Sequence, residues 1–491
     1  MPADADGNLS DAVSVLRHKV ESGDEQNKET MVPRDSLLVL MKHIAKVLSA
    51  SLQPPPEPAR RVLTRSTLGS VSPSSSATAT GVAEGVQKRQ ISAAVSTNCK
   101  VLVVGAGATG ACTAFYLRRL LGPSAQIRVW EKARGAGGRM TTNRQEFGGS
   151  SVRADMGAAV LSMNKSDKVC AEVAEFLTES GVCAEVPRNC LSATAERPSS
   201  QNWHHFVGID GGVNDALKKL LEKAKAEVHY ERRVASLDQH RNEWVARPFK
   251  GAAESFDAVV IAVPGCGHGG DNLDKIHGNW ERLLSPQQSK LLRAVQHDGR
   301  WAFAFFFPTK CARELDSFFG GKAVEKRVDD DMLHLVVHQS RKTHAAGGPK
   351  GSGAIAIVVH TTTQWARWNA RANGRDQRLF AEMEERTKWV LGLDSHIRPL
   401  ASKVITWKQS QVTRAIPDLG VQDPCMLISS KPPLALAGDY FTESNFAGCL
   451  RSACAAASSV AGTVVPDGPS AKRKRGDEKD FDLGSSTVAG G

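Results

Sequence analysis

From residue 98 onward the chain alternates unbroken apolar runs with amphipathic stretches, and this pattern predicts a layered α/β core. Val101-Leu102-Val103-Val104 has no polar position, as in a parallel strand buried on both faces. Ala111 to Leu121 has helical composition and is stopped by Gly122-Pro123, after which Gln126 to Trp130 reads as a second strand. Farther along, His205 to Asn214 leads into another helix, Glu227 to Val234 reads as a strand, and Phe256 to Pro264 reads as a third buried strand. Beyond residue 265 the pattern changes. Trp301 to Phe307, Met332 to Gln339 and Ala354 to Thr361 read as strands of an antiparallel sheet, with Asp376 to Leu393 as a covering helix. Residues 166–204 form a smaller excursion with a helix near Val169 to Ser180.

The two ends lack such periodicity. Residues 1–97 hold Pro54-Pro55-Pro56 and a Ser/Thr/Ala stretch from Ser70 to Thr80, and residues 464–491 are polar, so both ends are expected to be disordered. One amphipathic helix, Ser36 to Leu52, is predicted inside the leader from the spacing of Leu37, Leu40, Met41, Ile44, Val47 and Leu48. Residues 1–30 carry seven acids against three Lys/Arg, while Met31 to Thr97 carries eight Lys/Arg against three acids. Organellar targeting needs an acid-poor, Arg-rich segment and so fits a start at Met31 or Met41 better than one at Met1. Lys472-Arg473-Lys474-Arg475 matches a nuclear-import cluster, although short basic runs are more often solvated charge. With no secretory signal, a cytoplasmic location is expected, organellar and nuclear import remaining as alternatives.

Composition narrows the function classes. Hydrophobic residues make up 41% and charged residues 23% of the chain, and no apolar run approaches the roughly 18 residues a membrane span needs. The formal charge of +11 raises the question of nucleic acid, but the basic residues are scattered and not interleaved with stacking aromatics. A surface that favours anionic cofactors or substrates is the expectation, without nucleic acid. The ten cysteines form no CxxC and no His lies at zinc-ligand spacing from them, so free thiols and no metal site are expected.

The candidate chemistry starts where the first strand ends. Gly105-Ala106-Gly107-Ala108-Thr109-Gly110 joins that strand to its helix, and Glu131 ends the second strand. Gly105 permits the tight turn, Gly107 lets the backbone approach a pyrophosphate, and Gly110 lets helix and strand pack closely. The unpaired N–H groups and positive dipole end of the helix then face the phosphates, and Glu131 accepts from ribose hydroxyls. A lone GxGxxG is weak evidence, but strand, helix, second strand and acid in register predict dinucleotide binding.

Just after the acid, Gly135 to Met140 reads GAGGRM, and Gly137-Gly138-Arg139 resembles the second glycine motif of the flavin amine oxidase superfamily. Ala154-Asp155-Met156-Gly157-Ala158 resembles the turn that passes the flavin there, Val234 stands at the adenine-contacting valine, and Leu434 to Ala453 (LALAGDYFTESNFAGCLRSA) resembles the family's closing strand and helix. The resemblance covers roughly residues 98–463. It implies non-covalent FAD on a two-dinucleotide-binding fold: an FAD-binding Rossmann-like domain with an inserted α+β substrate domain built on an antiparallel sheet. The expected divisions are 98–165, 205–264 and 424–463 for the FAD-binding segments, with 166–204 and 265–423 on the substrate side. Cofactor contacts are implied at Gly105, Gly107, Ala108, Thr109, Gly110, Glu131, Lys132, Gly137, Gly138, Arg139, Met140, Asp155, Val234, Gly438, Asp439, Asn445 and Phe446.

Within the superfamily the chain resembles the renalase branch, through GGRMTT at 137–142, AIAIVVHTT at 354–362, TWKQSQVT at 406–413 and GDYFTESNFAGC at 438–449. Conventional amine oxidases carry a Lys that reaches the flavin through water and a pair of facing aromatics. At the expected strand the nearest cation here is Arg300, and of three tyrosines only Tyr440 could stand near the flavin. The renalase resemblance implies oxidation of dihydronicotinamide dinucleotide isomers, with oxygen as acceptor and hydrogen peroxide as product, by a monomer. It places His338, His360, Trp407 and Gln411 around the substrate, with Arg300 at the cleft edge. A strand histidine is more often structural than catalytic, and Trp407 could equally be core. Val160 and Gln409 depart from the branch, which has Tyr and His there. Two other readings stay open: a different amine oxidase relative acting on an amine or as a desaturase, and a non-catalytic FAD- or NAD(P)-binding interaction protein.

Overall fold

Short strands from the front, middle and end of the chain build one sheet, and longer strands from the middle build another. The computed structural model describes residues 98–192, 202–210, 212–265, 273–345, 353–372 and 376–464. The predicted leader helix and the basic cluster Lys472-Arg475 lie outside them.

In chain order the first half holds β1 (Lys100–Val104), α1 (Ala108–Leu121), β2 (Gln126–Trp130), β3 (Thr142–Phe147), β4 (Ser150–Asp155), β5 (Leu161–Asn164), α2 (Lys168–Glu179), β6 (Cys183–Glu185), β7 (Trp203–Gly208) and α3 (Asn214–Lys223). There follow β8 (Glu227–His229), β9 (Val234–His240), β10 (Glu243–Pro248), β11 (Glu254–Phe256) and β12 (Ala258–Ile261). The second half holds α4 (Pro286–Ala294), β13 (Gln296–Pro308), α5 (Ala312–Phe318), β14 (Glu325–Arg327), β15 (Leu333–His338), α6 (Gln339–Ala345), β16 (Ala354–Thr361), α7 (Thr363–Trp368), α8 (Gln377–Leu391), β17 (Ala401–Arg414), β18 (Met426–Ser430), β19 (Pro433–Leu436) and α9 (Phe446–Val464).

The first sheet has the order β18-β19-β12-β1-β2-β8, parallel except for the edge strand β18. Val101 to Val104 is buried on both faces, between α1, α3 and α9 on one side and a smaller core around Trp244 and Phe256 on the other. Helix α9 lies close against α1 because small residues, Ala453, Ala456 and Ala457, face the contact.

Expectation and structure differ around Val234. Glu227 to Val234 does not run as one strand: β8 stops at His229, the chain turns through Glu231 at φ +55, and Val234 opens β9 of a separate antiparallel sheet, β11-β10-β9. Likewise Phe256 belongs to β11, leaving Ala258–Ile261 as the buried parallel strand.

The second large sheet is antiparallel, in the order β14-β15-β16-β13-β17. Its two faces are set by the period-two alternation of β13, where Phe303, Phe305 and Phe307 point one way and Ala302, Ala304 and Phe306 the other. The phenylalanine face packs under α7 and α8, each ring contributing about 1.5–3 kcal/mol by burial. The alanine face leaves room, and it is that face, together with the β3-β4 hairpin, that turns toward the first sheet. Helix α8 begins at Asp376, whose side chain accepts from the Arg378 and Leu379 amides, and ends at Gly392 in the left-handed conformation.

Candidate active site

A cavity of about 940 Å³ runs from the carboxyl ends of β1 and β2 to the alanine face of the antiparallel sheet. Its first wall is main chain. Gly105 sits at φ +101, and a Cβ there would lie 2.8 Å from the Ala262 carbonyl oxygen. Among the described residues, a Cβ on Gly107 would meet no atom within 4 Å beyond its chain neighbours and own helix, because that face opens into the cavity. Gly138, at φ +52, approaches Gly107 across the same groove. Gly110 has another duty: a Cβ there would fall 1.8 Å from the Gly105 oxygen, so it is a packing glycine and not part of the lining.

Ala108, Thr109, Glu131, Lys132, Met140, Val234, Asn445 and Phe446 all line this end. The Glu131 carboxylate accepts from the Ala106 amide at 2.7 Å and the Ala133 amide at 2.8 Å, which fixes it at the cavity wall with acceptor sites to spare. Arg139 and Asp439 were expected to reach the cofactor separately; they are paired with each other, the two terminal guanidinium nitrogens donating to the carboxylate at 2.7 and 2.8 Å. Burial alone would lower the Arg139 pKa, but Asp439 raises it, and burial would raise Asp439 but Arg139 lowers it, so both stay charged. The pair ties the second glycine motif to the closing helix. Asn445 accepts from the Gly448 amide at 2.8 Å and so caps α9, whose N-terminus borders the cavity. Cys449 in that first turn is a neutral thiol, pushed up to about 11 by burial and by Asp439.

The opposite wall is made of side chains from the antiparallel sheet. Arg300 on β13, His360 on β16, and Trp407 and Gln411 on β17 all reach it. Arg300 donates to the Thr361 carbonyl at 3.4 Å, and the Trp407 indole donates to the Met156 carbonyl at 2.8 Å. His360 is 8% exposed, its Nε2 has no hydrogen-bond partner among the described residues, and its pKa is lowered to about 3 by burial, then by Arg300, His334 and Lys342. It is therefore a neutral hydrogen-bonding group and a poor base at ordinary pH. Gln409 and Val160 also line the cavity, Gln409 held by a bond to the Gly265 carbonyl at 3.2 Å.

Three expected residues are elsewhere. His338 lies at the far end of β15, edge-on to Phe319, its Nδ1 accepting from the Arg341 amide. Tyr440 is fully buried against Phe441 beneath the loop and contributes no surface to the cavity. Asp155 lies behind the wall, where it accepts from the Thr142 hydroxyl at 2.5 Å, the Val213 amide at 3.1 Å and the Lys342 ammonium. Lys342, on α6, also donates to the Ala159 carbonyl at 3.0 Å. Both charged side chains are 2% exposed, so they form a buried latch that holds the turn Gly157 to Val160 against the cavity. Sequence reasoning missed Lys342, and it missed Arg232, Arg233, Lys275, Arg327, His334 and Lys408 on the lining, because nothing local marks a polar residue that long-range pairing brings to a cavity.

Among the described residues, eight Lys/Arg side chains line the cavity against three carboxylates, one of which, Asp439, is already paired with one of them, Arg139. Such a site suits a polyanion. The open face of Gly107, the glycine groove and the buried Trp130 indole nitrogen at the cavity wall, unpartnered among the described residues, together fit a dinucleotide. The comparisons with known proteins agree with this geometry. Residues 103–176 match the NAD(P)-binding Rossmann-like domain model. Mouse renalase is 26% identical over 363 residues, covering 72% of this chain and 96% of that protein. Two solved structures of putrescine oxidase, the wild type bound to putrescine and a double mutant, share the fold at TM-score 0.50 and 10% identity, each covering 74% of this chain and 98% of theirs. Residues 171–461, more than half of the chain, match the model for flavin containing amine oxidoreductases. A cradle shaped for a dinucleotide and a match of that extent lead to one conclusion: the chain belongs to the flavin-containing amine oxidoreductase family, is renalase-like within it, and is an FAD-dependent oxidoreductase.

Proposed function

We propose that the enzyme oxidises dihydronicotinamide dinucleotide isomers, those reduced at a ring position other than the usual one, with oxygen as the final acceptor and hydrogen peroxide as product. When bound, FAD supplies the hydride acceptor and the route of the electrons to oxygen. The observation that carries the proposal is the chemistry of the sheet wall: Arg300, Arg327 and Lys408 outnumber its one carboxylate, Glu325, and of its histidines His334 and His360 the latter is held neutral. An amine arrives as a cation and must lose a proton before it is oxidised, and this wall repels the one while His360 is a poor base for the other. A dihydronicotinamide dinucleotide is an anion whose ring becomes an aromatic pyridinium on losing hydride, so no proton need be removed.

In this proposal segments 98–165, 205–264 and 424–463 hold FAD through the glycine loops, Glu131, the Arg139–Asp439 pair and the N-terminus of α9. Arg300, Trp407 and Gln411 orient the substrate ring and keep water from it, and His360 borders them on the side of Arg327. Anaerobic stopped-flow absorbance tests it, following the visible band of the bound flavin on mixing with the isomers, with ordinary NAD(P)H and with a panel of amines. Rapid bleaching by the isomers alone, followed by peroxide release on admitting oxygen, is expected. Bleaching by amines alone would overturn the proposal.

A further inference from the structure

The antiparallel sheet carries one row of side chains that spans its width. Arg327 on β14 is paired with Leu335 on β15, Leu335 with His360 on β16, His360 with Ala302 on β13, and Ala302 with Ile405 on β17. Directly paired residues point to the same face. Arg300, two residues before Ala302 and paired with Trp407, stands in the next row on that face. Arg300, Arg327, Leu335, His360 and Trp407 all line the cavity, as the register requires. Neighbouring strands are about 4.8 Å apart, so Arg327 stands roughly 14 Å across the sheet from the strand of Arg300. His360 lies between them, more than nine-tenths buried, with its Nε2 unpartnered among the described residues.

The Arg327 end is a built one. Its main-chain N–H donates to the Ser192 hydroxyl at 3.0 Å, and that hydroxyl donates to the Glu325 carbonyl at 3.2 Å. The Glu325 carboxylate is buried and accepts from the Ser192 amide at 3.2 Å. Strand β14 is thereby fixed, and Arg327 is presented to the cavity from the edge of the sheet farthest from Trp407. The glycine loops that receive a cofactor pyrophosphate belong to the other wall. A second set of cations here, separated by an orphaned imidazole nitrogen, points to a second phosphate-bearing ligand.

We propose that Arg327 and His360 form a phosphate subsite for the substrate, gripping a phosphate of the dinucleotide while its ring lies at the Arg300–Trp407 end. The inference rests on the proposed function for the nature of the substrate. The phosphate could be the bridging pyrophosphate or a 2′-phosphate on the adenosine ribose. Arg fits either, since its planar fork takes two oxygens of one phosphate.

The test uses the flavin-loaded full chain and equilibrium calorimetry with NADP⁺, NAD⁺, adenosine 2′,5′-bisphosphate, AMP and inorganic pyrophosphate as probes. R327Q, R327K and the surface control R313Q are compared with the unaltered protein. A 2′-phosphate subsite predicts that R327Q weakens the two 2′-phosphorylated probes about ten- to hundredfold and spares the others. A pyrophosphate subsite predicts the same loss for NADP⁺, NAD⁺ and pyrophosphate alike. In either case R327K, which keeps the charge without the fork, falls between. Binding of every probe unchanged in R327Q, at normal flavin content, overturns the subsite, and should R327Q not fold, unchanged binding in R327K does so. None of these probes is oxidised, so the outcome is separate from the proposed reaction: isomer oxidation with R327Q binding intact sinks the subsite alone, and an R327Q effect without isomer oxidation sinks the reaction alone.

Discussion

The two walls of the cavity are made differently, and each is sensitive to a different kind of change. The wall at β1, α1 and α9 is main chain, shaped by glycines, amide groups and a helix terminus, and a side chain enters it mainly as an intruder. The wall at β13 to β17 is side chain, with Arg300, Arg327, His360 and Trp407 carried there by strand register from positions up to 107 residues apart. On the first wall a substitution should act on cofactor binding as a whole. On the second it should act on the discrimination among substrates.

The largest effect is expected at Gly107. A Cβ there meets no atom of the described residues beyond its chain neighbours and own helix, so Gly107→Val is expected to leave the fold intact while filling the groove that faces Gly138. The purified variant should carry essentially no flavin, by its visible absorbance, with a far-ultraviolet circular dichroism spectrum like that of the flavin-free parent. A variant that retains a full complement of FAD would break the distinction between the walls at its root.

The walls meet through Asp155 and Lys342, and cutting that latch should have the next largest effect. Lys342→Met leaves the Asp155 carboxylate buried with the Thr142 and Val213 donors but no cation, a change that costs about 3–5 kcal/mol when one partner of a buried pair is removed. Urea unfolding of the flavin-loaded protein measures the loss, and K342M/D155N should recover part of it by removing the stranded charge. Equal stability of K342M and the parent would show that the turn Gly157 to Val160 is held without the latch.

A smaller effect follows from Arg300→Gln. Hydrogen bonds to a charged group contribute about 1.5–3 kcal/mol, so the variant should bind an anionic dinucleotide about ten- to hundredfold less tightly while keeping its flavin. Steady-state kinetics with the isomer substrate should show this mainly in KM. Loss of flavin from R300Q would place Arg300 on the cofactor wall and blur the comparison.

How much of this was legible in the sequence follows the same division. The glycine wall was readable because its chemistry is local: GAGATG, Glu131, GGRM and the GDYFTESNFAG stretch each carry spacing and residue type together. Trp301 to Phe307 was likewise readable as a strand, its two unlike faces emerging only with the packing. What could not be read was pairing across the fold. Arg139 and Asp439 each looked like a cofactor contact, and only their 300-residue separation closing to 2.7 Å shows that they serve each other first. Asp155 and His338 suited the site by type and position, yet one faces Lys342 behind the wall and the other faces Phe319. Arg327 sits on a three-residue strand with no periodicity to display, and its place on the cavity comes wholly from its registry with Leu335 and His360.

The smallest effect is expected of His360, and its smallness is informative. A histidine in the unfolded chain takes a proton near pH 6.5, but in the fold burial and the charges of Arg300, His334 and Lys342 lower that to about 3. Between those values the unfolded chain holds a proton that the native state does not. Stability from this residue is therefore complete above about pH 6.5 and falls as the medium is acidified through that window, by up to about 1.4 kcal/mol per pH unit. Urea midpoints compared between neutral and mildly acidic buffer should fall more steeply for the unaltered protein than for His360→Gln, which has no proton to exclude. Because the imidazole stays neutral throughout the working range, the rate of flavin reduction in stopped flow should show no His360 ionisation from roughly pH 5.5 to roughly pH 8.5, and H360Q should change that rate far less than it changes substrate binding. A rate that rises with a single ionisation near pH 6.5 and loses it in H360Q would make the imidazole a base after all, and would move the sheet wall from recognition to proton transfer.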